Sequence, residues 1–330
     1  MGEFGLIARL TAGLARTDAV LLGPGDDAAV VATPDGRVVA TTDLLVEGGH
    51  FRFDWSSARD VGRKAAAQSL ADVLAMGACP TALLVGFGAP PGFPAAEADE
   101  LVAGLADEAA RAGAAVVGGD VVAAERVLLA VTALGDLENR APVTRSGACP
   151  GDAVWLLGTV GRAQGGLALL QHADTELLGR HRDIVAAHQV PRLPYDLWRL
   201  FVEAGATAMI DVSDGLLADA GHVAARSGVA IELDTAGLAD AELSAAAADL
   251  GVDALGWQLA GGEDHGLLVT LPEESVGELV RTLHAWVVQH RWPGRGAAAI
   301  GRVAEGVGVT VDGRLPDIPG GWDHFRAEHP

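Results

Sequence analysis

The sequence predicts a two-unit mixed α/β protein, and three observations support this prediction. The chain has 330 residues, of which 50% are hydrophobic and 44 are glycine, so it can bury a full core and is long enough to divide in two. Short apolar runs alternate with longer segments in which apolar residues recur at helical spacing. A stretch rich in proline, glycine and charge separates the halves. We therefore expect an N-terminal unit at residues 1–137, a linker at residues 138–150 and a C-terminal unit at residues 151–330.

The N-terminal unit is expected to be a layered α/β domain with helices packed over one face of its sheet. Its first two strands, at residues 28–33 and 37–46, flank the turn signal Thr33-Pro34-Asp35-Gly36, which predicts a hairpin. The elements expected after this hairpin are helix 58–76, strand 81–86, helix 95–112, strand 114–117 and strand 126–134.

The C-terminal unit is expected to be a second α/β domain. Its predicted strands lie at residues 153–157, 206–209, 229–233, 267–271, 298–303 and 307–311. Its predicted helices lie at residues 163–171, 183–188, 195–204, 216–228, 241–250 and 275–290.

The segment Asp211-Val212-Ser213-Asp214-Gly215 forms the corner between a predicted strand and a predicted helix. Ser213 or Asp214 would cap this helix, and Gly215 would relax the turn. The N–H groups at a helix start attract anions, whereas two carboxylates repel a phosphate unless a hard cation such as Mg²⁺ lies between them. The corner therefore suggests a site for a metal-bound nucleotide, although Asp and Ser are also ordinary capping residues.

Further acidic residues follow other predicted strands and have glycine or small residues beside them. These residues are Asp26, Asp27, Asp43, Asp120, Glu263 and Asp264. Each group alone is typical of a solvated turn, since Asp and Gly are common turn residues. Together with the Asp211 corner they give five strand ends of the same kind, and this repetition instead indicates one shared acidic site, because glycine also lets the backbone approach a ligand closely.

Five other residues could take part in such a site, and each has a structural alternative. Asp72 lies inside a predicted helix, where it could bind a metal or face solvent. Thr41 and Thr42 can lend hydroxyl or carbonyl oxygens to a hard cation, although strand propensity explains them equally well. His50 could bind a phosphate or end a turn. Arg145 has the fork geometry that suits phosphate, but it could also pair with an acid.

Composition excludes several classes of function. The net charge of −21 argues against non-specific binding to nucleic acid or to an anionic membrane, since both need a basic surface. Cys79 and Cys149 lack C-x-x-C spacing, which argues against a disulfide framework or a thiolate zinc site and fits a reducing cytoplasm. The first residues lack the pattern of a signal peptide, and no run approaches the ~20 apolar residues of a membrane span.

Two familiar phosphate-binding patterns are also excluded. Residues 23–28 match G-x-G-x-x-A, but a strand follows them instead of the helix that a dinucleotide site requires. The only lysine, Lys64, stands between Arg63 and Ala65 and so lacks the Gly-Lys-Ser/Thr setting of a P-loop.

In combination and order, the motifs resemble those of the thiamine-monophosphate kinase family, within the aminoimidazole-ribonucleotide synthetase-like ATP-binding superfamily. Several of the motifs are shared singly with other branches of that superfamily. The resemblance runs nearly end to end and rests on Gly2-Glu3-Phe4-Gly5-Leu6-Ile7, Gly25-Asp26-Asp27-Ala28, Thr41-Thr42-Asp43, Gly49-His50-Phe51, Gly118-Gly119-Asp120, Thr144-Arg145-Ser146-Gly147, Asp211-Val212-Ser213-Asp214-Gly215-Leu216, Gly261-Gly262-Glu263-Asp264 and Trp322-Asp323-His324-Phe325.

The resemblance implies direct, Mg²⁺-assisted transfer of the γ-phosphoryl group of ATP to thiamine monophosphate, which gives thiamine diphosphate in a cytoplasmic biosynthetic step. Several Mg²⁺ ions would be needed, and no phosphoenzyme would form, because a phosphate oxygen is already an anionic nucleophile. The N-terminal unit would be a ferredoxin-like-type α/β domain that binds ATP and metal and forms the sheet of a homodimer.

The resemblance also implies roles for matching positions. The metal shell would comprise Asp27, Thr41, Thr42, Asp43, Asp72, Asp120, Asp211 and Asp214. The nucleotide would contact Gly119, Asp120, Arg145 and Ser213, and the thiamine substrate would contact His50, Glu263 and Trp322. Asp43, Asp120 and Asp211 would act in catalysis through the metals. An aromatic residue at Trp322 suits a cationic thiazolium ring.

Two alternatives remain open at this point. The chain could be another ATP-using member of the superfamily, or a nucleotide-binding dimer without catalysis that kept the fold. Pro24 stands where the family more often has a branched apolar residue, and His265 stands where an aromatic residue is common, which leaves the fine substrate contacts undetermined.

Overall fold

The chain forms two compact units that divide between Pro142 and Val143, within the stretch predicted to be the linker. The computed structural model describes residues 17–22, 30–290, 296–318 and 321. Each unit has its own sheet and helices, as the alternating pattern of the sequence predicted.

The described part of the first unit contains a four-stranded mixed sheet, a small two-stranded sheet and two helices. Its elements are β1 (Val20–Leu22), β2 (Val30–Val31), β3 (Val39–Val46), α1 (Ala58–Ala75), β4 (Cys79–Ala89), α2 (Ala95–Arg111), β5 (Ala115–Ala123) and β6 (Leu128–Asp136). The sheet order is β3-β6-β4-β5, with β4 and β5 parallel and the other neighbours antiparallel. The strands β3 and β5 therefore form the two edges.

Helix α1 is almost wholly buried, and it is the element that supports the strand β3. Ser57 and Asp60 form a capping box at its start, which satisfies two backbone N–H groups. It crosses α2 at glycines: a Cβ at Gly62 would lie 1.9 Å from the Leu101 carbonyl oxygen, and one at Gly104 would lie 2.0 Å from that of Arg59. Only glycine permits so close a crossing, so the position of α1 is narrowly defined.

The opposite face of this sheet keeps large apolar side chains exposed. Leu44, Leu84 and Val122 are 53%, 38% and 54% exposed, and the strand register places them on the same face as Thr42 and Thr132. Several exposed apolar side chains on one face of a sheet are typical of an interaction face.

The hairpin predicted for residues 28–46 is wrong. The strand β2 pairs with β1, where Val31 lies opposite Val20, whereas β3 pairs along its whole length with β6. The turn at Gly36 exists, with a φ of 75°, but it carries the chain from one sheet to another. A strand of two residues cannot match the eight backbone pairings that β6 offers to β3.

The second unit contains a six-stranded sheet in the order β12-β9-β11-β7-β10-β8, in which the pair β12 and β9 is parallel. Its strands are β7 (Ala153–Leu157), β8 (Ala208–Asp211), β9 (Ala230–Leu233), β10 (Leu267–Leu271), β11 (Ala297–Ala304) and β12 (Gly308–Val311). Its helices are α3 (Arg162–His172), α4 (Thr175–Arg180), α5 (Arg182–Gln189), α6 (Trp198–Glu203), α7 (Leu216–Ser227), α8 (Ala241–Asp249), α9 (Ala254–Ala260) and α10 (Glu273–His290), with a 3₁₀ turn at Thr235–Leu238.

The core of the second unit lies between this sheet and α7. Ile210, Val212 and Leu216 are buried in this core, so apolar packing holds the corner between β8 and α7 in place. Because β8 is an edge strand, the corner sits at the rim of the sheet. Among the described helices, none is long and apolar enough to cross a membrane.

The acids predicted at strand ends are placed differently from one another. Asp211 ends β8 as expected. Asp43 and Asp120 lie inside β3 and β5, since each strand continues for three residues beyond its acid. Glu263 and Asp264 follow the helix α9 rather than a strand, in the loop that precedes β10.

Candidate active site

In the first unit, the strand β3 and the helix α1 bring three candidate metal ligands together. Thr41 Oγ1 donates a 2.5 Å hydrogen bond to Asp72 Oδ2. Asp43, two residues along the same strand and therefore on the same face as Thr41, has a buried Oδ2 with no hydrogen-bond partner among the described residues. A buried carboxylate oxygen without a partner is costly, so this atom points to a cation or donor that the bound state would supply.

Two other candidates in this unit lie elsewhere on the sheet. The side chain of Thr42 is on the open face, where its hydroxyl accepts a 3.1 Å hydrogen bond from Thr132 Oγ1. Asp120 lies on the opposite edge strand from Asp43, and its Oδ1 accepts a hydrogen bond from the N–H of Val121. The strand arrangement thus groups Thr41, Asp43 and Asp72, but it does not bring Thr42 Oγ1 or Asp120 into that group.

Gly119 is needed for the close approach of β5 to β4. A Cβ at this position would lie 1.9 Å from the Val85 carbonyl oxygen, so no other residue fits without a shift of the strand. Its sequence-predicted role in nucleotide binding therefore stands beside a packing role that the structure makes evident.

The imidazole ring and the carbonyl oxygen of His50 both form hydrogen bonds within the first unit. Its Nδ1 accepts a 3.2 Å hydrogen bond from the N–H of Val46, so a neutral ring carries its proton on Nε2. The buried Lys64 donates a 2.9 Å hydrogen bond from Nζ to the His50 carbonyl oxygen. These two hydrogen bonds hold the histidine in one orientation.

In the second unit, the Asp211 corner is hydrogen-bonded to the loop that carries Glu263. Val212 N–H donates to the Gly266 carbonyl oxygen at 2.7 Å, and the N–H groups of His265 and Glu263 donate to the carbonyl oxygens of Val212 and Ser213 at 2.9 and 2.8 Å. Two motifs separated by about fifty residues in the sequence thus form one continuous backbone pairing beyond the end of β8.

The start of α7 is stabilised differently from the prediction. The N-cap residue is Gly215, and neither Ser213 nor Asp214 caps the helix. Instead, Asp219 Oδ2 accepts hydrogen bonds of 3.1 Å from the N–H groups of Asp214 and Gly215. Gly215 has a φ of 123° and a Cβ there would meet the Ala260 backbone, so the corner is too tight for a conventional cap.

Three carboxylates gather at this corner. Burial raises the pKa of Asp219 to about 7, with further contributions from the charges of Asp211 and Asp214. The charges of Asp211 and Asp214 therefore act on Asp219, as a smaller effect than its burial. A cation bound among them would relieve the repulsion between these charges.

Asp211 also has a histidine partner. His265 Nδ1 lies 3.1 Å from Asp211 Oδ2, and both side chains are buried. An ionised carboxylate can only accept, so Nδ1 carries the proton in this contact.

The loop before β10 directs its acids to two different places. Asp264 is buried and accepts hydrogen bonds from the N–H groups of Gly161 and Ala163 at the start of α3, at 2.5 and 2.9 Å. Burial raises its pKa to about 7, although these two donors favour the charged form. Glu263 is half-buried with a left-handed φ of 67°, and its Oε2 lies 4.0 Å from His188 Nδ1.

Arg145 reaches the same edge of the second sheet. The preceding residue, Thr144, accepts a 3.2 Å hydrogen bond from the N–H of Met209 on β8, and the Arg145 carbonyl accepts one from Ser227 Oγ at the end of α7. Its side chain is exposed, so the guanidinium can meet a ligand phosphate.

Two predicted site residues, Asp27 and Trp322, lie outside the described residues. Gly321, which directly precedes Trp322, runs against the corner: a Cβ on it would lie 2.5 Å from Ala218 Cβ and 2.9 Å from the Asp214 carbonyl oxygen.

The acids fit Mg²⁺ in the way that phosphate-binding proteins use it. Among the described residues, no three His, Cys, Asp or Glu side chains are grouped to hold a metal by themselves. Mg²⁺ at nucleotide sites is usually bound by one or two carboxylates together with substrate phosphates, so a complete protein cage is not required. The Asp43 Oδ2 without a partner among the described residues, and the carboxylates of Asp211 and Asp214 whose charges act on Asp219, match that incomplete kind of site.

The residues that sequence reasoning missed act through other residues. Asp219 accepts a hydrogen bond from the N–H of Asp214, and Lys64 donates one to the carbonyl oxygen of His50. A carboxylate four residues after Gly215 could have been recognised as able to reach back to the helix start, since positions i and i+4 share a helix face. The contacts of Lys64 and Asp264 depend on tertiary packing and leave no local pattern.

Comparison with known proteins identifies the family of this chain. The chain matches the profile of AIR synthase related protein, N-terminal domain, over residues 25–137, and that of the C-terminal domain over residues 149–314. It is 47% identical over 329 residues to the thiamine-monophosphate kinase of Mycobacterium tuberculosis H37Rv, which covers 98% of this chain and 92% of that protein.

Solved structures show the same fold. A thiamine-monophosphate kinase from Stenotrophomonas maltophilia K279a matches with a TM-score of 0.79 and 33% identity, covering 95% of this chain and 98% of that chain. AaThiL complexed with AMPPCP and TMP matches with a TM-score of 0.78 and 32% identity, covering 98% and 97% of the two chains. With both profiles matched and close relatives over nearly the whole length, the chain belongs to the thiamine-monophosphate kinase family of AIR synthase related proteins.

Proposed function

We propose that this chain transfers the γ-phosphoryl group of ATP to the phosphate of thiamine monophosphate, which yields thiamine diphosphate and ADP. The names of its relatives support this reaction, as does a relative's complex with thiamine monophosphate and an ATP analogue. The observation in this chain that carries the proposal is the backbone pairing of the Asp211 corner with the Glu263 loop. This pairing unites two acidic motifs at one edge of the second sheet.

The chemistry requires the approach of two anions. An oxygen of the thiamine monophosphate phosphate attacks the γ-phosphorus, the bond from that phosphorus to the β,γ-bridging oxygen breaks, and ADP leaves with the electron pair. Catalysis of such a transfer depends mainly on positioning and on neutralisation of charge. The attacking oxygen is already anionic, so the proposal includes neither a general base nor a phosphoenzyme.

Bound Mg²⁺ would supply the charge neutralisation. In the first unit, Thr41, Asp43 and Asp72 would hold it, since they share one face and Asp43 Oδ2 is unpartnered among the described residues. In the second unit, Asp211 and Asp214 would bind Mg²⁺. Asp27, Thr42 and Asp120 complete the proposed metal set, with Thr42 limited to its carbonyl oxygen because its hydroxyl lies on the other face.

The remaining residues bind and orient the two substrates in this proposal. Arg145, Ser213 and the backbone at Gly119 would contact the nucleotide, and Asp120 would reach it through metal. His50, Glu263 and Trp322 would contact thiamine monophosphate. The ring orientation of His50, set by its hydrogen bond from the Val46 N–H, supports a phosphate contact, and the position of Gly321 beside Asp214 supports a role for Trp322 at this corner.

We also propose that the enzyme works as a cytoplasmic homodimer. The exposed apolar face that contains Leu44, Leu84 and Val122 supports pairing of two first-unit sheets. The use of ATP as co-substrate supports the cytoplasm, where ATP is made.

Phosphorus NMR of the purified protein with thiamine monophosphate, ATP and Mg²⁺ tests the proposed reaction. We expect the diphosphate resonances of thiamine diphosphate to appear together with ADP. They should be absent in a sample with EDTA and in a sample without thiamine monophosphate.

Other outcomes would contradict the proposal in distinct ways. ADP and inorganic phosphate without thiamine diphosphate would show that ATP is hydrolysed and that thiamine monophosphate is not the acceptor. This outcome would favour another ATP-using member of the superfamily. ATP binding without any turnover would favour a non-catalytic nucleotide-binding dimer. Full activity in EDTA would refute the role of metal.

A further inference from the structure

We propose that His265 is a positioning residue for Asp211: its Nδ1–H group holds one oxygen of that carboxylate and so reserves the other for a divalent cation. The inference rests on the proposed function in one respect, since it takes Asp211 as a metal ligand.

The contact between the two side chains is buried and well defined. Nδ1 of His265 lies 3.1 Å from Oδ2 of Asp211, and the side chains are only 3% and 4% exposed. A carboxylate that is hydrogen-bonded through one oxygen cannot rotate freely about its Cβ–Cγ bond. Fixing the ligand in this way before the metal arrives reduces the cost of ordering the site, as outer-shell hydrogen bonds do for other metal-binding carboxylates.

The backbone determines the direction of the imidazole. His265 has a left-handed φ of 51°, and its N–H donates to the Val212 carbonyl oxygen at 2.9 Å. A left-handed conformation is unfavourable at a residue with a Cβ, and here the pairing of the loop with the Asp211 corner holds it in place. The ring is thereby aimed at Asp211 by the same hydrogen bonds that unite the two motifs.

A purely structural role would give a different result from a positioning role. The second unit offers another His–Asp contact in His181 and Asp249, whose Nε2 and Oδ2 atoms are 2.8 Å apart, although Asp249 is more exposed than Asp211 and also pairs with Arg180. Asp249 is not among the proposed metal ligands. Disruption of the His181 pair should therefore cost stability alone, whereas disruption of the His265 pair should also weaken metal binding.

The test is to replace His265 with residues that keep or remove the donor. The amide nitrogen of Asn occupies nearly the position of Nδ1, and Asn also tolerates a left-handed backbone. Gln places its amide nitrogen nearer the position of Nε2, and Phe keeps a ring without a donor. The variants to compare are His265→Asn, His265→Gln and His265→Phe. His181→Phe is the control, because it removes a His–Asp contact whose carboxylate is not a proposed metal ligand.

Binding of Mn²⁺ to the full chain, measured by the loss of the free-ion EPR signal in the presence of AMPPCP, gives a readout that does not depend on turnover. We expect His265→Phe and His265→Gln to raise the dissociation constant of Mn²⁺ by about tenfold or more, the usual effect of losing an outer-shell partner. His265→Asn and His181→Phe should leave it within about threefold. The Mg²⁺ concentration for half-maximal rate should shift in parallel, while kcat at saturating Mg²⁺ changes less.

Equal Mn²⁺ affinity in the His265→Phe variant and the unmodified protein would overturn the proposal. Equally weak binding by His265→Asn and His265→Gln would also overturn it, and this pair decides the matter if the Phe variant does not fold. If the unmodified protein makes thiamine diphosphate but these variants bind Mn²⁺ normally, the positioning role alone fails. If the unmodified protein neither binds Mn²⁺ nor makes the product, the proposed function fails with it.

Discussion

The hydroxyl group of Thr41 donates a 2.5 Å hydrogen bond to Asp72, and this contact joins the edge strand β3 to the helix α1. The bond keeps Asp72 turned toward the strand that also carries Asp43. Asp72 lies near the end of its helix and is only partly buried, so this bond helps to fix the direction of its carboxylate.

We expect Thr41→Val to lower the rate by about tenfold at low Mg²⁺ and by less at saturating Mg²⁺, because it removes the donor that orients Asp72 and keeps the side-chain shape. Steady-state rates across a Mg²⁺ titration check this. Thr81→Val is a suitable control, since Thr81 also donates from its hydroxyl within this sheet, to the Leu134 carbonyl oxygen. A parallel loss of rate in both variants would indicate general disturbance of the sheet.

Asp43→Asn should abolish turnover without loss of stability. The change removes the charge on a side chain whose buried Oδ2 has no partner among the described residues, so the fold loses no interaction there and is relieved of a desolvation cost. Thermal unfolding in EDTA should therefore show an equal or higher midpoint, while the rate falls by at least about a thousandfold if Asp43 binds the metal that stabilises the transition state. A lower midpoint with an unchanged rate would refute the assignment.

Asp211→Asn should also abolish turnover, but with a different effect on stability. Asp211 is paired with His265 in a buried contact, so neutralising it weakens a charge-assisted hydrogen bond, worth roughly 1.5–3 kcal/mol. We expect a lower unfolding midpoint for this variant than for Asp43→Asn. The comparison is made by calorimetry on both proteins in EDTA, and full activity of Asp211→Asn at ordinary Mg²⁺ would exclude it as a metal ligand.

Lys64→Met and His50→Ala should both weaken the binding of thiamine monophosphate. Lys64 is buried and donates to the His50 carbonyl oxygen, so its loss leaves the histidine poorly placed. We expect each change to raise the KM for thiamine monophosphate more than the KM for ATP, and the double variant to resemble the worse single variant. Additive effects of the two changes would show that Lys64 does not act through His50.

The stability of the folded protein should depend on pH through the ionisation of Asp264. Its pKa is raised to about 7 by burial, above the ordinary value of 3.8, so the folded protein keeps a proton that the unfolded chain releases. The stabilisation from this proton on Asp264 is therefore fully present below about pH 4 and is lost as the pH rises to about 7. The free energy of unfolding falls by at most about 4 kcal/mol over this range.

Denaturant unfolding of the unmodified protein and of Asp264→Asn, measured from pH 5 to pH 8, tests this. The difference in stability between the two proteins should change with pH, with the variant showing the shallower decline. Parallel curves would mean that the two N–H donors from Gly161 and Ala163 keep Asp264 charged throughout this range.

The sequence was sufficient to predict the two-unit fold because apolar periodicity reports burial directly. Helix α1 and the strand β10 lie at or within one residue of their predicted bounds. The hairpin prediction failed because turn residues at Gly36 report a change of direction and contain no information on which strand becomes the partner.

The candidate site was less accessible to prediction. Asp43 and Asp120 were expected at strand ends, but their strands continue because backbone pairing with neighbouring strands does not require apolar side chains. The contact between His265 and Asp211 depends on two left-handed residues in one short loop, and neither residue is a glycine that would signal such a turn. Motif order indicated which residues matter, and only the three-dimensional contacts show how they are held.

The loop from Glu263 to His265 directs three consecutive side chains to three different places: one toward His188, one to the start of α3 and one to Asp211. Because each direction follows from the backbone pairing, insertion or deletion of a single residue would reassign all three at once. The loop can therefore vary in side-chain identity far more readily than in length, and a family member of altered length here would need a different way to hold the corner.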